Sequence, residues 1–88
     1  MKYIEWDTEK GVELLRERGI SFGFCAVKIE GEDVVDILEN NPNYPHQKIF
    51  VLEINNYIYL VPFVEDKEKI FLKTIYPSRK FTKIYLKK

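Results

Sequence analysis

Residues 48–83 read KIFVLEINNYIYLVPFVEDKEKIFLKTIYPSRKFTK, and this stretch decides the fold. Two apolar runs meet at Asn55-Asn56, and asparagine tolerates the positive φ that a two-residue type I′ turn requires. A second turn at Asp66-Lys67 adds a third strand, and a basic helix follows Pro77. The stretch therefore predicts a three-strand antiparallel meander that runs into a helix.

The first turn places Ile54 opposite Tyr57 and so divides the strands into two faces. The predicted core face carries Phe50, Leu52, Ile54, Tyr57, Tyr59, Val61, Phe63, Ile70, Leu72, Thr74 and Tyr76. The opposite face is also largely apolar, which calls for cover by a terminal helix or by a partner. Pro62 has no N–H for a neighbouring strand, so its position predicts a bulge or early splaying there.

The N-terminal half predicts two strands and two helices. They lie at residues 3–6, 8–18, 22–29 and 34–38. Asp7 and Ser21 are suitable N-cap residues, and Gly19 is suited to end the first helix. The second helix is apolar nearly all round, so we expect it between the first helix and the sheet.

The chain is therefore predicted to be one α+β domain spanning residues 1–88. Its sheet is predicted to be antiparallel, with the C-terminal three-strand meander plus one or two N-terminal strands. Two N-terminal helices and a basic C-terminal helix complete the prediction. In that helix, Phe81, Ile84 and Tyr85 have the spacing of a docking face.

The net charge of zero hides a strong asymmetry along the chain. Residues 1–66 carry six Lys or Arg against thirteen Asp or Glu, whereas residues 67–88 carry eight against one. Lys80, Lys83 and Lys87 fall on one side of the last helix, and Lys73 adds to the same end of the chain. This pattern predicts a surface that binds a phosphate backbone, unless the two halves neutralise each other within the fold.

Several classes of site and location are disfavoured by composition. Cys25 is the only cysteine, which excludes an intrachain disulfide, and its apolar neighbours favour a buried thiol. A single histidine and dispersed carboxylates predict no metal ion and no cofactor. No segment approaches the ~20 apolar residues that cross a bilayer, and the charged N-terminus lacks a signal sequence. We therefore expect no membrane contact and a cytoplasmic location.

Three short segments, taken in order, carry a family resemblance. They are Glu5-Trp6-Asp7-Thr8-Glu9-Lys10, then Arg18-Gly19-Ile20-Ser21-Phe22, then Ile75 followed by Arg79-Lys80-Phe81-Thr82-Lys83. These resemble the EWD..K, HG(V/I)SF and I..ARxATRR patterns of the BrnT toxin family, and the likeness covers nearly the whole chain. The chain departs from the family at Arg18, where histidine is frequent, at 76–78, which add a residue, and in the loop 40–47.

The resemblance implies a RelE-like α+β ribonuclease fold and RNA cleavage that stops translation. It also implies a cognate antitoxin, of a ribbon-helix-helix DNA-binding type, that neutralises the toxin. The RNA is then the substrate, and operator DNA is contacted only through the toxin–antitoxin complex.

Metal-free RNA cleavage needs a base for the 2′-hydroxyl, cations for the phosphate and a proton for the leaving oxygen. Lys48, Arg79 and Lys83 are candidates for the phosphate. His46 is the candidate acid or base, since histidine exchanges protons near neutral pH; the alternative is a solvated loop residue. Candidates for stacking a base or carrying a proton are Tyr76 and Tyr59, and candidates for binding RNA are Lys73, Lys80 and Lys87.

The geometry of a meander sets one difficulty for this site. Its outer strands run parallel, so Lys48 and Arg79 lie at opposite ends of the sheet unless a bulge or the final helix folds back. The alternative function is a non-catalytic module, in which the apolar sheet face binds a protein and the basic helix binds nucleic acid.

Overall fold

The computed structural model describes residues 2–87, which form six strands and three helices. In chain order they are β1 (Tyr3–Trp6), α1 (Thr8–Arg18), α2 (Phe22–Glu30), β2 (Asp36–Leu38), β3 (Lys48–Ile54), β4 (Tyr57–Glu65), β5 (Lys69–Leu72), β6 (Tyr76–Pro77) and α3 (Arg79–Leu86). The predicted α+β class, with two N-terminal helices and one C-terminal helix, is confirmed. Among the described residues, no helix is both long and apolar enough to cross a membrane.

The sheet has the strand order β1-β5-β4-β3-β2, and β6 also pairs with β4. Strand β1 runs parallel to β5, whereas every other pair is antiparallel. The prediction of a wholly antiparallel sheet is therefore wrong at this edge. The partner of β1 lies near the other end of the chain, so no local turn determines the direction in which the two strands pair.

The first hairpin forms as the sequence predicts. Asn55 and Asn56 have φ values of 53° and 65°, as a type I′ turn requires. Strands β3 and β4 pair Ile54 with Tyr57 and continue in the predicted register.

The second turn is centred one residue later than predicted: residues 66–68 lie between β4 and β5, and Asp66 N donates to Lys69 O across the turn at 3.0 Å. Glu65 pairs with Ile70, a shift of two positions from the predicted register. Since side chains alternate with a period of two, Ile70 and Leu72 keep their predicted face. The Asp66 carboxylate closes the turn by accepting from the backbone N–H groups of Glu68 and Lys69, at 2.8 and 2.9 Å.

A bulge opposite Pro62 reverses the alternation beyond Leu72. Between the pairs Phe63–Leu72 and Leu60–Tyr76, strand β4 contributes two residues and the opposing chain contributes three, residues 73–75. Pro62 accepts a hydrogen bond from Lys73 N at 2.8 Å but has no N–H to give in return. The bulge predicted at this proline is therefore present.

The extra residue changes which side chains enter the core. Ile75 is fully buried in the cluster below α1 and α2, and Tyr76 packs on the opposite face. The predicted core positions of Thr74 and Tyr76 are wrong, because the strict alternation assumed for this strand does not survive the bulge.

The two faces of the sheet are covered by different helices. On one face, α1 and α2 pack over the cluster that includes Leu52 and Phe63. On the other, α3 covers a cluster centred on Val51 and Ile58, so the apolar second face is covered by a terminal helix. The helix α2 is not enclosed as expected: Phe24 and Val27 are 50% and 70% exposed, because only one side of α2 meets the core.

Hydrogen bonds hold α3 against the sheet at both of its ends. At the start, Ser78 caps the helix and its N–H donates to Ile58 O at 2.9 Å. At the end, the Tyr85 hydroxyl donates to the Asp36 carboxylate at 2.6 Å, which lowers the pKa of Asp36. Ile84, predicted to dock, is exposed, since the helix instead turns Thr82 inward.

Thr82 gives the first testable prediction. Its side chain is 4% exposed, and its Oγ1 accepts from Ile58 N at 2.9 Å and donates to Ser78 O at 2.7 Å. Thr82→Val keeps the shape but leaves a buried N–H without a partner, so we expect a loss of about 1–3 kcal/mol in the free energy of unfolding. Thr82→Ser retains the hydroxyl and is the control. Equal losses for the two variants in urea denaturation would contradict this role.

Candidate functional site

A cleft of about 480 Å³ opens where the loop between β2 and β3 crosses the bulge. It is lined by Asn41, Asn43, Tyr44, Gln47, Pro62, Lys73, Thr74 and Tyr76. A smaller hollow of about 210 Å³ adjoins it and shares Tyr44, Gln47 and Lys73. His46 lines that hollow together with Pro45 and Val64. We call the two together the bulge cleft.

The loop is held in shape by its own hydrogen bonds. Asn41 is 7% exposed; its Oδ1 accepts from Asn43 N at 3.1 Å, and its backbone carbonyl accepts from Tyr44 N. Gln47 N in turn donates to the Tyr44 carbonyl at 2.9 Å. Two prolines restrict φ in the same loop. These constraints present the exposed Tyr44 ring beside the cleft.

The structure gathers three of the candidate residues at this cleft: His46, Lys73 and Tyr76. The position of Tyr76 is fixed by packing, because its side chain contacts the apolar cluster under α3. The Lys73 ammonium lies 5.2 Å from the centre of the Phe71 ring, a favourable cation–π distance. The cleft thus combines a proton-transfer group, a cation and aromatic rings.

Lys48 lies on the other face of the sheet. It pairs with Phe63, whose ring belongs to the cluster under α1 and α2, whereas the neighbouring Pro62 lines the cleft. The Lys48 ammonium is 3.0 Å from Glu65 and 3.4 Å from Glu39. These carboxylates, Glu65 first, raise the pKa of Lys48, so its amine is protonated at neutral pH and its charge is already paired.

The same cluster gives a pH-dependent prediction. Lys2 and then Lys48 lower the pKa of Glu65 below its ordinary value of 4.5. Because the folded pKa is the lower one, the stabilisation is present above pH 4.5 and is lost as the pH falls through the folded value. Glu65→Gln is therefore expected to reduce stability at neutral pH and to match the wild type in strong acid. Urea denaturation across this range measures the difference, with the exposed Glu53→Gln as control; a deficit independent of pH would contradict it.

The basic residues of α3 form a separate surface. Arg79, Lys80, Lys83 and Lys87 are all exposed, and among residues 2–87 none of the four forms an ion pair. The acidic half of the chain therefore leaves these charges available. Helix α3 starts beside Ile58 of β4, whereas Lys48 lies opposite Phe63. Ile58 and Phe63 are five positions apart along β4, which is about 16 Å, so Lys48 and Arg79 are not brought together.

Arg79 lies nearer to the bulge cleft than to Lys48. Only two residues separate it from Tyr76, so the two Cα atoms are at most about 11 Å apart. The start of α3 therefore lies close to the cleft residue Tyr76. We call Lys73 together with Arg79, Lys80, Lys83 and Lys87 the basic track.

The sequence does not mark two of the cleft residues, Asn41 and Gln47, as functional. The loop's Asn-Pro and Tyr-Pro steps indicated a stiff turn, but no pattern shows which amide of such a loop faces inward. Cys25 is fully buried, and burial raises the pKa of its thiol to about 12, so it is a core residue. Among the described residues, no three His, Cys, Asp or Glu side chains are grouped as metal ligands.

No protein-family model, curated protein or solved structure matches this chain. The resemblance to the BrnT family therefore rests on the three segments quoted above, and the bulge cleft is interpreted from its own geometry.

Proposed function

We propose that this protein is the toxin of a BrnT-like toxin–antitoxin pair, with a RelE-like fold, and that it cleaves RNA at the bulge cleft. The observation that carries the proposal is the presence of His46, Lys73 and Tyr76 around one cleft beside a basic helix. RNA is the ligand class that uses all three features, since its phosphates suit lysine and its unpaired bases stack on tyrosine. The toxin acts in the cytoplasm.

The chemistry is an attack of the RNA on itself. His46 takes the proton of a 2′-hydroxyl, and the 2′-oxygen attacks the adjacent phosphorus. The bond from phosphorus to the 5′-oxygen breaks, and that oxygen takes up a proton from water. The products are a 2′,3′-cyclic phosphate and a 5′-hydroxyl. Lys73 stabilises the charge that develops on the phosphate oxygens, an electrostatic contribution that is large in a pre-organised site.

The partner is a small antitoxin whose DNA-binding part connects the complex to its operator. The exposed charges of α3 are the surface it must cover or compete for, because RNA uses the same track. An acidic segment on the antitoxin has the charge for this purpose.

Two measurements test the proposal. Induced expression should stop growth, and the purified protein should cut single-stranded RNA with chelator present, leaving cyclic phosphate ends. In the growth experiment, co-expression of the cognate antitoxin should restore growth. If growth continues and RNA incubated with pure protein stays intact, the protein is not such a toxin.

One observation favours the second candidate, a nucleic-acid-binding module without catalysis. Lys48 is held by two carboxylates and Arg79 lies on another element, so fewer cations meet near His46 than a phosphate-cleaving site commonly gathers. A module of this kind would bind single-stranded RNA with the same salt dependence as the proposed toxin, but it would leave the RNA uncut. The cleavage assay separates the two functions.

Both functions predict that α3 contributes through its charge. Lys83→Ala is expected to remove one phosphate contact and to reduce the slope of log affinity against log salt by about 0.7. Lys10→Ala is the control, since this lysine lies on α1, outside the basic track, and forms no ion pair among the described residues. Fluorescence anisotropy with a labelled oligonucleotide at several salt concentrations gives both slopes. An unchanged slope for Lys83→Ala would place the RNA elsewhere.

A further inference from the structure

The amides of the loop between β2 and β3 have a fixed hydrogen-bond direction. Asn41 Oδ1 accepts from the backbone N–H of Asn43 at 3.1 Å, which determines how this buried amide is oriented. Its Nδ2 therefore faces Gln47 and donates to Gln47 Oε1 at 3.4 Å. Because Oε1 is occupied in this way, the Nε2 of Gln47 is the end left for a ligand in the cleft. The backbone of the loop thus dictates, through Asn41, that Gln47 donates.

Lys73 is the second cleft residue whose hydrogen-bond direction is fixed, and it is also a donor. The ammonium of Lys73, on the bulge side, carries only N–H bonds and cannot accept. The hydroxyls of Thr74 and Tyr76 can donate or accept, and the Asn43 amide can turn either way, so these groups discriminate little. The groups with a defined direction, Gln47 and Lys73, both offer hydrogen atoms.

Tyr44 and Tyr76 both line this cleft, and an unpaired base can stack on a tyrosine ring. The hydrogen-bonding groups on the edge of that base then decide whether it matches the donors of the cleft. At C6 of a purine or C4 of a pyrimidine, guanine and uracil present a carbonyl oxygen that accepts, whereas adenine and cytosine present an amino group that donates; this is the position that two donors can distinguish. An amino group that faces two donors loses its hydrogen bond and leaves the donors unpaired. We infer that the bulge cleft selects a keto base, guanine or uracil, over an amino base. The inference rests on the proposed RNA-binding function and deepens it.

The test is equilibrium binding of short 2′-O-methyl oligonucleotides, which keep the bases of RNA but lack the attacking hydroxyl. Oligo-uridine is expected to bind about tenfold more tightly than oligo-cytidine and oligo-adenosine, a ratio typical of a well-placed polar contact. Stacking on tyrosine alone tolerates every base. Equal affinities for the three oligonucleotides, or a preference for adenine or cytosine, would overturn the inference.

Two variants test the source of the preference. Gln47→Glu keeps an oxygen for Asn41 Nδ2 and turns the cleft end from a donor into an acceptor. Asn41→Asp makes the other end of Gln47 face the cleft, because both aspartate oxygens accept and Gln47 Nε2 must then donate to it. Each variant is expected to shift the uridine-to-cytidine affinity ratio about tenfold or more towards cytidine.

Lys67→Gln is the control for net charge, since it also lowers the net charge by one unit, in the exposed turn of residues 66–68. It is expected to change all affinities together and to leave the ratio unchanged. Circular dichroism shows whether Gln47→Glu and Asn41→Asp are folded. If both are folded and also leave the ratio unchanged, the hydrogen bond between Asn41 and Gln47 does not determine the base preference.

Separate measurements distinguish a failure of this inference from a failure of the proposed function. Binding preference is measured on oligonucleotides that cannot be cut, whereas cleavage is measured on ordinary RNA. A uridine preference without cleavage would support the base-binding site and contradict the ribonuclease function. Cleavage with no base preference does the reverse.

Discussion

Replacing His46 by glutamine is expected to lower the rate of RNA cleavage by about 10²–10⁴-fold, the range that a positioned acid or base supplies. His46 lines the smaller hollow of the bulge cleft next to Lys73. Glutamine has a similar size and can form hydrogen bonds, but it cannot exchange a proton near neutral pH. RNA affinity is therefore expected to stay within about twofold, and the loss should appear in kcat.

Single-turnover cleavage of a labelled oligonucleotide measures this rate, and anisotropy measures affinity. Val12→Ala, an exposed position on α1 across the sheet, is the control. A comparison with Lys48→Met locates the site. If the Lys48 variant loses as much activity as the His46 variant, with its fold intact, the reaction takes place away from the bulge cleft. Full activity of His46→Gln would remove the proposed acid–base role.

Replacing Ile75 by alanine is expected to cost about 2–5 kcal/mol of unfolding free energy, the range for large-to-small changes in a packed core. Ile75 is fully buried under α1 and α2, and its carbonyl accepts a hydrogen bond from the Arg18 guanidinium. The neighbouring Thr74 lines the open cleft instead. Thr74→Ala is therefore expected to stay within about 0.5 kcal/mol.

Urea denaturation followed by circular dichroism gives both values. The pair tests the bulge directly, because an unbroken alternation from Leu72 would put Thr74 in the core and Ile75 on the opposite face. A large loss for Thr74→Ala with a small one for Ile75→Ala would restore that alternation.

The features that the sequence predicts well are those with a local cause. The Asn55-Asn56 turn sets the first hairpin, and Asp7 and Gly19 bound α1, because each residue acts on its immediate neighbours. The parallel pairing of β1 has no local cause. The position of the bulge was indicated by Pro62, but its effect on Ile75 depends on which strand takes the extra residue.

In the candidate site, too, the sequence indicates some residues, whereas other contacts depend on the folded structure. Residue type was enough to select His46, and the basic spacing was enough to select Lys83. The pairing of Lys48 with Glu39 was not visible, because it follows from the register of β2 against β3. The direction of the Gln47 amide depends on a backbone N–H two residues after Asn41, which composition does not reveal.

The bulge has one more consequence, for changes in chain length. If Thr74 were removed and Pro62 replaced by valine, β4 and its neighbour could form an unbroken ladder. Leu60 would still lie opposite Tyr76, and Ile75 would keep its place in the core. Loss of one codon together with the change at Pro62 would therefore remove a residue that lines the cleft, while Leu60, Ile75 and Tyr76 keep their places in the sheet. Ligand binding at this position can evolve separately from the stability of the sheet.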